Sequence, residues 1–410
     1  MSLNHSSFIS WFIIVLIATT EMATDIYVPS LPQISVFFGV SEAMVQLTIS
    51  LNLVGIALSG LIYGPLSDVY GRRPVILGGL ALFGVASFLC CFTQSIYTLI
   101  LVRFLQGTGA GVSLVVGLAS ICDAYSSAQC AKILSRLGMV VALSPGLAPI
   151  IGGLIAASYG WQMVFWVVTA TAILMLGVFI LTFPETRVYT DPGANQLSFK
   201  NMGNAYQRLL TNPRFLGYTF IQVITIFWLW GDMANLPFLY IDGMKLPMEH
   251  YGYFMAFSVV IFMVGSSINQ RYVLKKGANF LLRFGLVLPV ISGIALLMAY
   301  GMIDLNPVLI QSLKIPSSLG LAFIFGNATT LALEAAGTDR GAGSGLIGAL
   351  QMLCGAGGIA LEGYWYDATI FPLAVIATIC SGAALLASMV LDKLASGVRS
   401  GEVEGEAVIK

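Results

Sequence analysis

One polar segment between two long apolar runs decides how this chain folds: Gly64-Pro65-Leu66-Ser67-Asp68-Val69-Tyr70-Gly71-Arg72-Arg73-Pro74. The run on each side is long enough to cross a membrane, which takes about 20 mostly apolar residues. Across the 410 residues, 58% are hydrophobic and only 9% are charged, whereas about 25% are charged in an ordinary soluble domain. The composition therefore excludes a water-soluble globular protein and predicts a chain that lies almost wholly in a membrane.

Apolar runs bounded by glycine, proline and charged residues repeat along the chain and predict twelve membrane-spanning helices. They cover residues 8–30, 44–65, 74–93, 96–120, 134–158, 161–183, 214–240, 250–270, 280–302, 310–332, 342–363 and 368–391. The first run has no basic start, and Glu21 and Asp25 interrupt it. We therefore interpret it as a membrane span and not as a secretory signal.

The charged residues predict the orientation of the chain. The 19 basic and 19 acidic residues balance, so no net charge attracts nucleic acid. In the twelve-span topology Arg103 lies inside the fourth span and Lys245 and Lys314 lie on one face, whereas every other basic residue lies on the opposite face. Because basic loops remain in the cytoplasm, both termini and the long central connection are predicted to be cytoplasmic.

A polar stretch from Pro184 to Pro213 divides the spans into six and six. We predict an N-terminal six-helix bundle (1–186), a cytoplasmic linker (187–213), a C-terminal six-helix bundle (214–393) and a cytoplasmic tail (394–410). Two such halves around a cavity at the middle of the membrane are typical of transporters, which rock one half against the other.

The segment quoted above also predicts a gate. Gly64 and Gly71 permit a tight turn, and Asp68 faces the arginine pair Arg72 and Arg73. A carboxylate accepts strong charge-assisted hydrogen bonds, and one conformation of the two halves could form them while another breaks them. The alternative is an ordinary basic loop that only sets the topology.

This segment resembles the signature between helices 2 and 3 of the major facilitator superfamily. Leu99–Gly109 resembles the helix 4 motif of that family, and Leu143–Gly153 resembles the helix 5 motif of its proton-driven drug antiporters. Ala23–Pro32 and Pro184-Glu185-Thr186 are most similar to the bicyclomycin-resistance (Bcr/CflA-like) branch. The resemblance implies a major facilitator fold and drug efflux driven by the proton gradient, without a bound cofactor.

Ionisable residues inside a bilayer are costly and mark function, and four stand out: Glu21, Asp25, Arg103 and Asp232. Glu21 and Asp25 share one helix face at i, i+4 spacing, and Asp25 and Arg103 fall at similar depth. We predict that Asp25 carries the proton, that Arg103 adjusts its protonation, and that Glu21 contacts substrate or a second proton. The alternatives are a permanent Asp25–Arg103 ion pair and, for Asp232, a contact at the wet periplasmic mouth.

Polar and aromatic residues on the cavity helices predict a substrate-binding surface that suits amphipathic molecules: Glu21, Tyr27, Asn52, Gln106, Trp228, Asp232, Asn235 and Gln351. In the fifth span, Pro145 and Pro149 weaken the helix, and Gly152 and Gly153 allow close packing. These four residues predict a helix that bends during transport.

The sequence therefore predicts a monomeric proton-coupled antiporter of the bacterial inner membrane that exports small amphipathic compounds, including antibiotics. The alternative is export of one native metabolite, such as a siderophore or an amino-acid derivative, by the same mechanism. An enzyme is disfavoured because neither H-E-x-x-H nor G-x-S-x-G occurs. With two histidines and no C-x-x-C, no metal site is expected.

The predicted topology can be tested with reporters fused after Lys410 and inserted near Asn195. Both reporters should be cytoplasmic, because twelve spans return the chain to its starting side and the basic loops hold that side inside the cell. Alkaline phosphatase, which is active only outside the cytoplasm, distinguishes the outcomes. Reporters on opposite faces would exclude the twelve-span model.

Overall fold

The computed structural model describes residues 3–186, 199–302 and 304–408, and nearly all of them are helical. The helices are α1 (Leu3–Asp25), α2 (Leu31–Phe38), α3 (Glu42–Tyr70), α4 (Arg72–Cys90), α5 (Ile96–Ala124), α6 (Ser127–Tyr159), α7 (Trp161–Thr182), α8 (Phe199–Thr211), α9 (Pro213–Pro237), α10 (Met248–Lys276), α11 (Ala278–Tyr300), α12 (Pro307–Leu313), α13 (Ile315–Ala335), α14 (Arg340–Trp365) and α15 (Phe371–Val408). Residues 187–198 of the predicted linker and 409–410 of the predicted tail lie outside the described residues.

Eleven helical segments among the described residues are long and apolar enough to cross a membrane. The twelfth span is α9, which has 25 residues and packs against α13, α14 and α15. Its apolar run contains the polar residues Gln222, Asp232 and Asn235. Each predicted span thus corresponds to a helix, and the predicted all-α architecture of twelve spans is confirmed.

Prolines cause the main differences from the predicted spans. The first span was expected to continue to residue 30, but α1 ends at Asp25 and a short turn at Val28–Ser30 leads into α2. Pro29 and Pro32 lie at the starts of these two elements, where a residue without a backbone N–H is tolerated. In the same way, the tenth span begins as the short helix α12, with Pro307 in its first turn.

The predicted linker contains a helix that the apolar pattern does not reveal. α8 contacts α9 and α14, and Leu209 of α8 is buried beside Phe215 and Ala332. At its end, the Asn212 side chain accepts hydrogen bonds from the backbone N–H groups of Arg214 and Phe215, at 3.0 and 3.2 Å. This cap ends one helix and begins the next. The second part of the linker is therefore docked on the second half of the molecule.

The two halves meet along two helix pairs, α3 with α14 and α6 with α10. We call the end of the bundle near Gly71 and Gly277 the basic end, because Arg72, Arg73 and Lys276 lie there. The other end is the opposite end, where α3 and α10 begin and α6 and α14 finish.

The contacts between the halves lie toward the opposite end. Gln46 of α3 donates a hydrogen bond to the Asn235 side chain over 2.7 Å, and the Ser50 hydroxyl donates to the Ala356 carbonyl over 2.8 Å. Gly252 of α10 lies against the backbone of Ile150 in α6 so closely that a Cβ atom there would overlap it. The halves are therefore joined at the opposite end.

We predict that Gly252→Ala weakens this closure. The added methyl group would overlap the Ile150 backbone, and overpacking of this kind costs about 1–3 kcal/mol. The matched control is Gly348→Ala, because a Cβ atom at Gly348 meets nothing within 4 Å. Thermal unfolding of the purified proteins should show a lower midpoint for Gly252→Ala alone. Equal midpoints would mean that the halves do not approach as closely as described.

Candidate functional site

The two acids of α1, Glu21 and Asp25, form the centre of the candidate site. Asp25 is 5% exposed, and its Oδ2 accepts a hydrogen bond from the Ser144 hydroxyl of α6 over 3.0 Å. Glu21 is half-buried and interacts electrostatically with Asp25. Among the described residues, neither acid has a basic partner within ion-pair distance. We call these two residues the α1 acid pair.

Arg103 does not form an ion pair with Asp25 in this conformation, so the alternative of a permanent Asp25–Arg103 pair is wrong. Its guanidinium is fully buried, lies 4.2 Å from the centre of the Tyr27 ring and donates from Nη1 to the Gln106 side chain. The Nε and Nη2 atoms have no hydrogen-bond partner in the described part of the chain. Because α1 ends at Asp25, the following turn brings the Tyr27 ring to the arginine. The ring face then stabilises the cation.

Three of the residues predicted to bind substrate are instead buried in internal hydrogen bonds. The Asn52 side chain accepts from Thr24 over 3.3 Å and donates to the Arg103 carbonyl over 2.9 Å. Gln106 donates to the Ser87 hydroxyl over 2.8 Å, and the Tyr27 hydroxyl bonds to Thr48. In this conformation these groups hold α1, α3, α4 and α5 together and do not line an open surface.

Asp232 lies inside the second half, whereas a position at the wet mouth was the alternative considered for it. It is 5% exposed and accepts a hydrogen bond from the Lys314 ammonium group in a buried ion pair. Lys314, which the sequence placed on the face opposite the other basic residues, thus extends its ammonium group into the second half. Lys314 lies between α12 and α13, directly before the first residue of α13.

The other residues predicted in the second half differ in their exposure. Trp228 is 2% exposed, and its indole N–H has no partner among the described residues. The Asn235 amide is used in the contact with Gln46 described above and in a hydrogen bond to the Gly231 carbonyl at 2.9 Å. Gln351 of α14 is half-buried.

Glu362 of α14 was missed by sequence reasoning. Its side chain is fully buried and packs on Gly231, and it interacts electrostatically with Asp232 and Lys314. One indication of this residue is present in the sequence, because Glu362 lies within the last turn of a predicted span. An acid at that position is easily taken for part of a solvated loop. Asp232, Lys314 and Glu362 are called the second-half charge cluster below.

The predicted gate residues at the basic end form a network centred on Arg72. Arg72 donates from Nη1 to Asp68 over 2.7 Å and from Nε to Asp123 of α5 over 2.8 Å. The backbone N–H groups of Arg72 and Arg73 donate to the Glu185 carboxylate over 2.9 and 3.1 Å. Sequence reasoning did not assign Asp123 or Glu185 to this site.

Two glycines of the gate segment differ in how strictly they are required. Gly71 has φ +98°, and a Cβ atom there would lie 2.6 Å from the Glu185 carboxylate, so a side chain is excluded both by the backbone conformation and by space. A Cβ atom at Gly64 would make an ordinary contact with Val115 at 3.9 Å.

The predicted flexible positions of the fifth span lie inside one continuous helix. Pro145 and Pro149 are internal to α6. Gly152 lies directly against the Ile26 carbonyl, just after the end of α1, and Gly153 lies beside the Met248 carbonyl of α10. α6 therefore packs closely against its own half at Gly152 and against the second half at Gly153.

These observations define a class of protein. Two helical halves meet at one end of a membrane-spanning bundle, and ionisable groups lie buried within each half. That arrangement is typical of a membrane transporter that alternates access to a central site.

Comparisons with known proteins identify the family. The model of the Major Facilitator Superfamily matches residues 10–359, so the chain belongs to that family and is a transporter of small molecules, not an enzyme. A bicyclomycin resistance protein homolog of Haemophilus influenzae is 28% identical over 339 residues, which cover 81% of this chain and 83% of that protein. The multidrug resistance protein MdtL of Escherichia coli O6:H1 is 34% identical over 244 residues, 59% of this chain and 60% of that protein.

Solved structures confirm the fold. The inward-facing, occupied structure of a bacterial homolog of the human lysosomal transporter Spinster aligns with a TM-score of 0.74, at 15% identity, over 97% of this chain and 96% of that one. The nucleoside transporter NupG aligns with a TM-score of 0.71, at 14% identity, over 94% and 98%. The predicted major facilitator fold is thus confirmed.

The Arg72 network predicts a loss of stability in Arg72→Lys. A lysine has no planar fork with which to reach Asp68 and Asp123 together, and because these acids are partly exposed we expect a loss of about 1 kcal/mol. The matched control is Arg340→Lys at an exposed position. Thermal unfolding should distinguish the two variants. Equal unfolding of Arg72→Lys and the wild type would show that the network does not stabilise this conformation.

Proposed function

We propose that this transporter is a proton-coupled antiporter that exports small amphipathic compounds, driven by the proton gradient without a cofactor. We place it as a monomer in the bacterial inner membrane, with the basic end in the cytoplasm because basic loops remain inside the cell. The names of its relatives, a bicyclomycin resistance protein homolog and a multidrug resistance protein, support drugs as the substrate class.

The observation that carries the proposal is the α1 acid pair without a basic partner in the described part of the chain. An ionised carboxylate that is buried without a counter-charge is very costly. A bound proton or a cationic substrate removes that cost. Two acids one helical turn apart also repel each other when both are ionised, so binding at one affects the other. The pair can therefore exchange a proton for a positively charged or polar substrate.

The contacts between the halves suggest which side reaches this pair. The halves are joined at the opposite end, and the half-buried Glu21 lies one turn closer to the basic end than Asp25. Substrate would therefore enter from the cytoplasm in this conformation, displacing a proton. Opening of the opposite end would then release the substrate outside and admit a new proton.

The binding surface is best supported at residues that are not fully enclosed. Glu21 and Gln351 are half-buried, one in each half, and Trp230 of α9 is partly accessible and packs on Gly355 of α14. One acid, one amide and one aromatic ring suit cationic amphipathic molecules. Asn52, Gln106 and Tyr27 would act indirectly, by holding the helices that carry the acids.

We predict that Asp25→Asn abolishes uphill export while leaving a folded protein. The amide oxygen can still accept from Ser144, and Arg103 keeps its contacts with Gln106 and Tyr27, so the loss of stability should be below about 1 kcal/mol. Transport is measured in proteoliposomes under an imposed pH gradient, with ethidium as the first probe beside neutral and zwitterionic compounds. Downhill ethidium exchange should survive in Asp25→Asn, and accumulation against a gradient should not.

The matched control for this experiment is Ser144→Ala, which removes the hydrogen bond to Asp25 but keeps the acid. It should retain gradient-driven transport. If stable Asp25→Asn protein still accumulates ethidium uphill, Asp25 is not the proton carrier and Glu21→Gln becomes the deciding variant. If the wild type moves no compound of the panel in response to the pH gradient, the proposed function itself is wrong.

A further inference from the structure

The second-half charge cluster joins three separate elements deep inside the bundle. Asp232 comes from α9, Lys314 from the junction of α12 and α13, and Glu362 from α14. Asp232 and Lys314 form an ion pair, and both interact electrostatically with Glu362. The three residues are at most 9% exposed, and Glu362 is 0% exposed.

The charges of this cluster do not balance when every group is ionised. Two carboxylates face one ammonium group, and the ammonium is already hydrogen-bonded to Asp232. Neither oxygen of Glu362 has a hydrogen-bond partner among the described residues. A buried polar group without a partner is rare, and a buried unpaired charge is very costly. One added proton shared with this carboxyl group would balance the cluster.

Neighbouring elements contribute titratable groups but no further cation within the described part of the chain. The Cys380 thiol of α15 interacts with Glu362, and the phenol groups of Tyr240 and Tyr251 interact with Asp232. From α3 the neutral Gln46 approaches Gly363, the residue after Glu362, and the Oε1 of Gln46 has no partner among the described residues. The charge deficit of the cluster is thus not met by its surroundings.

The position of Glu362 connects the cluster to the movement of the halves. Its neighbour Gly363 touches Gln46 of α3, in the contact that joins the halves at the opposite end. Asn235, on the same helix as Asp232, is hydrogen-bonded to the same glutamine. Separation of α3 from α14 would open the bundle beside Gly363 and let water approach the neighbouring Glu362. In the closed contact the carboxyl group remains sealed.

We propose that Glu362, together with Asp232 and Lys314, is a second proton-binding site of the transporter, loaded from the side that opens when α3 and α14 separate. A proton passes from water to a Glu362 carboxylate oxygen when the contact opens, and it returns to water when the carboxyl group is next exposed. The inference rests on the proposed proton-coupled function for its role in transport. The binding of a proton at this site does not depend on it.

The site is tested by infrared difference spectroscopy of the purified full-length protein during a change of pH. The wild type should show the carbonyl stretch of a protonated carboxylic acid assigned to Glu362. This band should be missing in Glu362→Gln and should move in Glu362→Asp, which keeps an acid one methylene shorter. Glu334→Gln, at an exposed acid of α13, is the matched control and should keep the band.

Transport gives a second readout in the same proteoliposomes. Glu362→Gln should move fewer protons per ethidium than the wild type, and Glu334→Gln should match the wild type. Spectra of Glu362→Gln that equal those of the wild type would overturn the second site while leaving the role of Asp25 intact. A wild type that moves no compound of the panel would overturn the proposed function, and the infrared titration would still decide whether Glu362 binds a proton. If Glu362→Gln does not fold, the shifted band of Glu362→Asp decides.

Discussion

The cost of a charge in a water-free interior is the constraint on which this structure depends. Each buried cation named above is stabilised by a different kind of partner. Arg103 lies on the face of Tyr27, and Lys314 is paired with Asp232. At the basic end, where water is near, Arg72 is held by two acids. After these pairings, the α1 acid pair and Glu362 have no cation of their own in the described part of the chain. A bound proton would neutralise such an acid.

Sequence reasoning predicted the helices closely, and it also brought the residues of the gate segment together. Span positions follow from local hydropathy, and the gate segment carries Asp68, Gly71 and Arg72 within a few consecutive residues. The i, i+4 spacing of Glu21 and Asp25 likewise follows from helix geometry alone. All of these features depend on neighbours in the chain, and the pattern of residue types records them directly.

Features that depend on how helices turn toward one another were not predictable in this way. Counting residues from the helix ends correctly placed Asp25 and Arg103 at similar depth, but depth does not say which side of a helix faces which neighbour. The break after Asp25 brought Tyr27 to Arg103 instead. Lys314 and Glu362 lie near the ends of predicted spans, so the sequence did not single out either residue as a buried charge. Only the tertiary fold shows that both point inward.

Tyr251 of α10 extends this reasoning from single sites to the whole cycle. It is fully buried and interacts electrostatically with both Asp25 and Asp232, one acid in each half. The same buried phenol group thus lies near an acid of each proposed proton site, and movement at the contact between the halves would couple the two sites. Coupling of this kind is reciprocal: if a proton at one site favours separation of the halves, separation must favour the proton there to the same extent. Movement of this one interface can thus coordinate protonation at both sites without a direct contact between them.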